Sequence, residues 1–232
     1  VPGAIVPLYT DPGPVWDRLA RAIAQTPDLP FAIILNPDSG AGAAQSDLYV
    51  ASIPALLLAN ATLYGYVDTN YARRDAADID REIGNWINWY GITGIFFDDV
   101  APLDEHAAYY RKLTANARTQ GIRATIGNPG TLAPATFVKT FDTLVTYEDP
   151  GYPPIASLES AVDRFGLDAL AIVVLGAPYD DHAIDALIER AHWIYASERA
   201  DDAYGALPLA FDSLLDRLHI AHAADFDLHP GL

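Results

Sequence analysis

Short apolar runs, β-branched or aromatic, alternate along the chain with stretches in which apolar residues recur every three or four positions. The runs predict strands at Ala4–Tyr9, Phe31–Leu35, Thr62–Val67, Ile92–Asp98, Ile122–Gly127, Thr143–Glu148, Leu170–Leu175 and Trp193–Ser197. Phe31-Ala32-Ile33-Ile34-Leu35 and Ala171-Ile172-Val173-Val174-Leu175 are apolar without interruption, as expected of parallel strands covered on both faces. Helical stripes lie between the runs. Ile79, Ile83, Trp86, Ile87 and Tyr90 share one helix face, and Asp75 and Asp78 stand where carboxylates favour the start of a helix. Val15, Leu19 and Ile23 form an earlier stripe. Ile184, Leu187, Ile188 and Ala191, and then Phe211, Leu214, Leu215 and Leu218, form later ones. Pro54 should kink or shorten a helix over Asp47–Ala59, and the weakest helical pattern is Pro134–Lys139.

Strict alternation of strand and helix implies a parallel sheet. Eight such units in 232 residues average about 29 residues each, close to the ~30 of a βαβ repeat. Eight units closing on themselves predict a (β/α)8 TIM barrel, one domain over residues 1–232, with an open doubly wound sheet as the structural rival.

Composition narrows the function classes. Half the residues are hydrophobic, so disorder is excluded. The net charge of −17 repels phosphate backbones and anionic lipid, which argues against nucleic-acid and membrane-surface roles. No apolar run reaches the ~18 residues of a membrane helix. Without cysteine there are no disulfides, thiolate nucleophiles or cysteine-held metals. A chain that opens Val1-Pro2-Gly3 and contains no Met is expected to be a mature or trimmed product, which favours a secreted or extracytoplasmic location.

In a barrel of this kind the active site forms at the carboxyl ends of the strands. There the chain places Tyr9, Asn36, Asp68 with nearby Tyr71, Asp98-Asp99, Asn128, Tyr147-Glu148 and Glu198. Strand seven offers only Gly176-Ala177-Pro178. Successive strand residues face opposite ways, so one of Asp98 and Asp99 should point into the mouth. A carboxyl among Tyr and apolar walls has its pKa raised, which suits Glu148 to general-acid work opposite an ionised Asp. Such a pair is the equipment of glycoside hydrolysis, and tyrosines suit sugar rings. A strand-end Asp that caps a turn, or a Glu in an ion pair, is the bland alternative.

Other signals are weaker. Asn36-Pro37-Asp38-Ser39-Gly40-Ala41-Gly42 lacks the Lys and spacing of a P-loop and is read as a turn, with Asn36 kept as a ligand contact. His219 and His222 lack acidic partners at metal spacing, and no His-x-His follows strand one, so no metal or other cofactor is expected. Lys112 and Lys139, the only lysines, fall outside the strand ends, against Schiff-base chemistry.

The blocks Val6-Pro7-Leu8-Tyr9, Ile34-Leu35-Asn36-Pro37-Asp38-Ser39-Gly40, Gly65-Tyr66-Val67-Asp68-Thr69-Asn70-Tyr71, Gly94-Ile95-Phe96-Phe97-Asp98-Asp99, Asn128-Pro129-Gly130 and Tyr147-Glu148 resemble, in order, those of the spherulation-specific family 4 proteins. That family includes glycoside hydrolase family 135. Its members are similar to endo-α-1,4-N-acetylgalactosaminidases, (β/α)8 barrels that cut galactosamine-containing exopolysaccharide such as galactosaminogalactan. The resemblance implies that Asp98, Asp99 and Glu148 are the catalytic candidates. The family often has Asp-Glu at the strand-four end, and here the second carboxylate is one methylene shorter. Ala41 stands where a Pro is common.

The resulting expectation is a retaining endo-glycosidase. Asp98 is its nucleophile and Glu148 its acid/base. Asp99, Tyr9, Asn36, Asp68, Tyr71, Asn128, Tyr147 and Glu198 contact the substrate, a polysaccharide that can be cationic where deacetylated. Attack by the substrate's own N-acetyl group, a sugar-binding barrel with little turnover, and a metal-dependent hydrolase remain as alternatives.

Overall fold

The structure is a computed structural model describing the backbone of residues 1–228. Eight parallel strands close into a barrel in chain order. They are β1 (Gly3–Leu8), β2 (Phe31–Leu35), β3 (Ala61–Asp68), β4 (Gly94–Asp98), β5 (Ala124–Gly127), β6 (Thr143–Pro150), β7 (Leu170–Leu175) and β8 (Trp193–Ala196). Pairing of Gly3 with Trp193 joins β8 to β1 and rules out the open sheet. The helices are α1 (Pro14–Gln25), α2 (Asp47–Ser52), α3 (Ala76–Tyr90), α4 (Ala107–Thr119), α5 (Ile155–Phe165), α6 (Asp181–Ile188) and α7 (Phe211–Leu228).

The stripes behave as their spacing requires. Ile79, Ile83, Trp86 and Tyr90 are buried along α3, whose Asp75 caps the helix by accepting the Ala77 N–H. Helix α2 ends at Ser52, and Pro54 lies in the following 3₁₀ turn. The segment Pro134–Lys139 differs from expectation: it holds only a 3₁₀ turn over Ala135–Phe137. The backbone leaves the helical region at Val138, with ψ of 126°, and at Lys139, with φ of 61°, so no second turn forms.

Two apolar layers result. Alternate strand residues, among them Ile5, Ile34, Tyr64, Phe96, Ile126, Val145, Val173 and Tyr195, fill the barrel interior. The other set packs outward against the helices. Gly65 faces out, and a Cβ there would lie within 2.5 Å of the Trp86 ring. Its bare backbone lets Trp86 lie on the strand and donate its indole N–H to the Tyr66 carbonyl at 2.9 Å. That contact fixes β3 just below its inward Tyr66.

Period-two counting carries the inward side from Phe96 to Asp98 and from Ile126 to Asn128. On β6 the same count from inward Val145 would turn Glu148 outward. The register instead pairs Val145 with Ala171 and Tyr147 with Ile172, leaving Thr146 as a bulge. The extra residue resets the parity, so Tyr147 faces the outer layer and Glu148 the mouth.

Candidate active site

At the carboxyl end of β4, the Asp98 carboxylate has a partner on each neighbouring strand side. The Tyr66 phenol donates to Oδ2 at 2.7 Å, and the Asn128 amide donates to Oδ1 at 2.8 Å. The same Asn128 nitrogen donates to Oε2 of Glu148 at 2.5 Å. One NH₂ group has two hydrogens and can serve both acids. Its orientation is fixed from the other end, because Asn128 Oδ1 accepts the Gly130 N–H at 2.9 Å. Gly130 O in turn accepts the Glu148 N–H at 3.0 Å, tying the loop after β5 to β6. Two bonds of these lengths through one nitrogen hold the carboxylate oxygens within about 5.3 Å of each other.

The remaining Glu148 oxygen accepts the phenol of Tyr204, from the loop between β8 and α7. Tyr9 stands edge-on between Tyr66 and Tyr204, with ring centroids 5.6 and 5.1 Å away. The site is therefore two acids, a bridging amide and three phenols. Burial, reinforced by the acids, raises the pKa of all three phenols, so they stay neutral donors.

The carboxyl that burial pushes up is Asp98, to about 6. The Tyr66 hydrogen bond opposes this shift and the Glu148 charge adds to it. Asp98 lies on the floor of the mouth, where β4 meets β3 and β5.

Asp99 turns away from this floor. Its φ of 51° puts it in the left-handed region, and its carbonyl accepts the Tyr71 N–H and the Thr69 hydroxyl, both at 2.8 Å. Asn70, Tyr71 and Ala72 continue with φ of 44°, 53° and 65°. Three consecutive left-handed residues without glycine are strained. They present Tyr71 half exposed at the rim, where the nearby Asp99 carboxylate is the main cause of its phenol's raised pKa. Asp68 pairs in register with Asp98, and its carboxylate accepts the Asn70 N–H. Beside it, Asp38, Arg74 and Glu82 line a concavity of about 590 Å³. Glu82 accepts the Ala41 N–H and pairs with Arg74, and it fills the space that a Cβ on Gly40 would need.

Three expected contacts are engaged elsewhere. Asn36 uses its side-chain carbonyl to accept the Gly40 N–H at 2.9 Å, which closes the glycine-rich loop. Tyr147 faces outward past the bulge and donates to Gly151 O at 2.9 Å. Glu198 accepts the N–H groups of Leu209 and Ala210, just ahead of α7. Each is taken by the nearest unsatisfied backbone group, which strand-end position alone does not reveal. Tyr204 was not anticipated. It lies in a loop without apolar period, and no sequence signal marks it.

Among the described residues, no group of three or more His, Asp or Glu side chains is arranged to hold a metal ion. No described helix is long and apolar enough to cross a membrane.

The spherulation-specific family 4 pattern matches residues 3–218. Spherulin-4 of Physarum polycephalum is 31% identical over 150 residues, which is 63% of this chain and 45% of that protein. The chain thus spans less than half the length of that relative. Among solved structures, Sph3 of Aspergillus clavatus in complex with GalNAc superposes with a TM-score of 0.84 at 26% identity, covering 94% of this chain and 97% of that one. A chitinase from Chromobacterium violaceum has a TM-score of 0.63 at 11% identity, covering 94% of this chain and 99% of that one, a likeness of fold alone.

Proposed function

Since the chain belongs to the spherulation-specific family 4, we propose that it is a carbohydrate-active barrel. Within that class we assign it as an endo-acting, retaining glycoside hydrolase on α-linked galactosamine and N-acetylgalactosamine polymer, acting outside the cytoplasm. The likeness to a family barrel that holds GalNAc supports the sugar. The observation that carries the chemistry is the amide of Asn128 shared by Asp98 and Glu148. It keeps the facing carboxylate oxygens no more than about 5.3 Å apart, which supports the close ~5–5.5 Å arrangement of retaining enzymes over the ~6.5–9.5 Å that leaves room for an attacking water.

In the first reading Asp98 attacks the anomeric carbon and Glu148 protonates the leaving oxygen. Glu148 then deprotonates the water that releases the product. Above about pH 6 Asp98 is an ionised carboxylate with few water contacts, a state that favours attack. The second reading exchanges the roles. It is favoured by the same raised carboxyl, since an Asp that keeps its proton above the ordinary carboxylate range suits acid work, while Glu148 accepts from two donors, Asn128 and Tyr204. In both, Asn128, Tyr66 and Tyr204 hold the acids, and Tyr71 offers an exposed ring at the rim.

The test is hydrolysis of defined α-linked galactosamine polymers by Asp98→Asn and Glu148→Gln. Both should lose activity, and a near-normal rate in either defeats the assignment. Azide separates the roles: with the nucleophile replaced by Ala it yields the glycosyl azide of inverted configuration, and with the acid/base replaced it yields the retained one.

A further inference from the structure

Behind Glu148, on the outer side of β6, lies a cavity of about 480 Å³. Small-ligand sites run from about 300 to 1,000 Å³. Its walls include Gly130 and Leu132 from the loop after β5, Thr146 and Asp149 from β6, and Pro153 and Ser157 at the start of α5. Two separate features there lack partners. Thr146 is 7% exposed, and its hydroxyl has no hydrogen bond among the described residues. An unpaired buried hydroxyl is destabilising, and Val would fill the same space without that loss. The second feature is α5 itself, which opens on the cavity behind Pro154 with no side-chain cap. The Ser157 N–H bonds the Pro154 carbonyl at 3.0 Å, which leaves the N–H groups of Ile155 and Ala156 without an acceptor among the described residues.

We propose that this cavity is a second sugar site, taking one or two neutral N-acetylgalactosamine units of the polymer cut at Asp98 and Glu148; the choice of sugar rests on the carbohydrate reading above. The lining fits a hydroxyl-rich ring. Sugar hydroxyls donate to Asp149 and accept from Thr146, Ser157 and the free N–H groups of α5, while Leu132 and Pro153 meet apolar ring faces. No Lys or Arg lines the cavity and Asp149 does, which disfavours an anion.

Only β6 and one loop separate the two sites. Glu148 and Asp149 are consecutive residues on opposite faces, and Gly130 belongs to both sites. It borders the cavity while its N–H holds Asn128 and its carbonyl holds the Glu148 backbone. A chain lying over this rim occupies both sites, and the second contact raises the effective concentration of the first.

The experiment uses N-acetylgalactosamine as probe and backbone NMR of the full chain carrying Glu148→Gln. Two sets of amides should shift, one at the mouth and one around Thr146, Ser157 and Ser160. Adding Ser157→Trp to fill the cavity should abolish only the second set. In the otherwise native enzyme, Ser157→Trp should raise KM for polymer about fivefold and leave turnover of a short oligosaccharide unchanged. Thr146→Val, which keeps the volume, should raise Tm and weaken the second set about tenfold. Shifts at the mouth alone, a second set that survives Ser157→Trp, or a Thr146→Val chain that binds like its parent would each overturn the second site and spare the carbohydrate reading. No shift anywhere would overturn both.

Discussion

Asp98 should destabilise the protein that depends on it. Its carboxyl titrates at about 6 when folded, against an ordinary value of 3.8, mainly because the barrel floor buries it. The native state therefore binds this proton more tightly than the unfolded chain. The Asp98 contribution to stability is greatest below about pH 4, falls as pH rises through about 6, and then levels. A pKa difference of that size corresponds to about 3 kcal/mol. Asn cannot ionise, and its amide can still accept from Asn128 and donate to Tyr66, the two partners seen here. Asp98→Asn should thus melt close to wild type at pH 4 and roughly 6–12 °C above it at pH 8, taking ~2–4 °C per kcal/mol for a domain of this size. Polymer hydrolysis should fall by about 10²–10⁴-fold. The assay is paired thermal unfolding across pH 4–8, read as the difference between the two proteins, so that the other carboxylates cancel. Parallel Tm curves would refute the reasoning, because they would mean that the Asp98 charge is solvated at no cost.

Three further outcomes follow from the same geometry. Tyr204→Phe removes one donor from Glu148; a hydrogen bond to a charged group is worth about 1.5–3 kcal/mol, so Tm should fall by several degrees and kcat roughly 10–100-fold, and an unchanged pH–rate profile would speak against the contact. Deleting Thr146 removes the unpaired residue and should keep Glu148 inward, retaining activity within about tenfold. Inserting an Ala between Tyr147 and Glu148 should turn the acid outward and abolish hydrolysis in a protein whose circular dichroism is unchanged. With a net charge of −17, hydrolysis of partly deacetylated, cationic polymer should weaken as salt is raised from about 0.01 to 0.5 M, whereas fully acetylated polymer should respond little.

The barrel was legible because its strands are continuous apolar runs with helical stripes between them. All eight expected strands are present, with ends displaced by at most two residues. β4 and β5 start later than the apolar pattern suggests, since Ile92 and Ile122 pack just ahead of the strands. The site was legible where strand-end position determines direction, as for Asp98 and Asn128. It was not legible where a local backbone group competes for the side chain, as for Asn36 and Glu198. Nor was it legible on β6, where the facing of Glu148 and Tyr147 depends on a ladder irregularity that the residues beside Thr146 do not announce. Tyr204 reaches Glu148 across 56 positions of chain, from a loop with no periodic signal.

The slack at Thr146 also bears on how this strand can change length. Because one residue there stands outside the ladder, losing it leaves every downstream pairing of β6 with β7 as it is. Most strands of a closed barrel cannot shed a residue without turning their far end inside out. Relatives that differ by a single residue at this point can therefore keep the same acid in the same place, and sequence comparison there should allow a gap rather than force Glu148 against its neighbour.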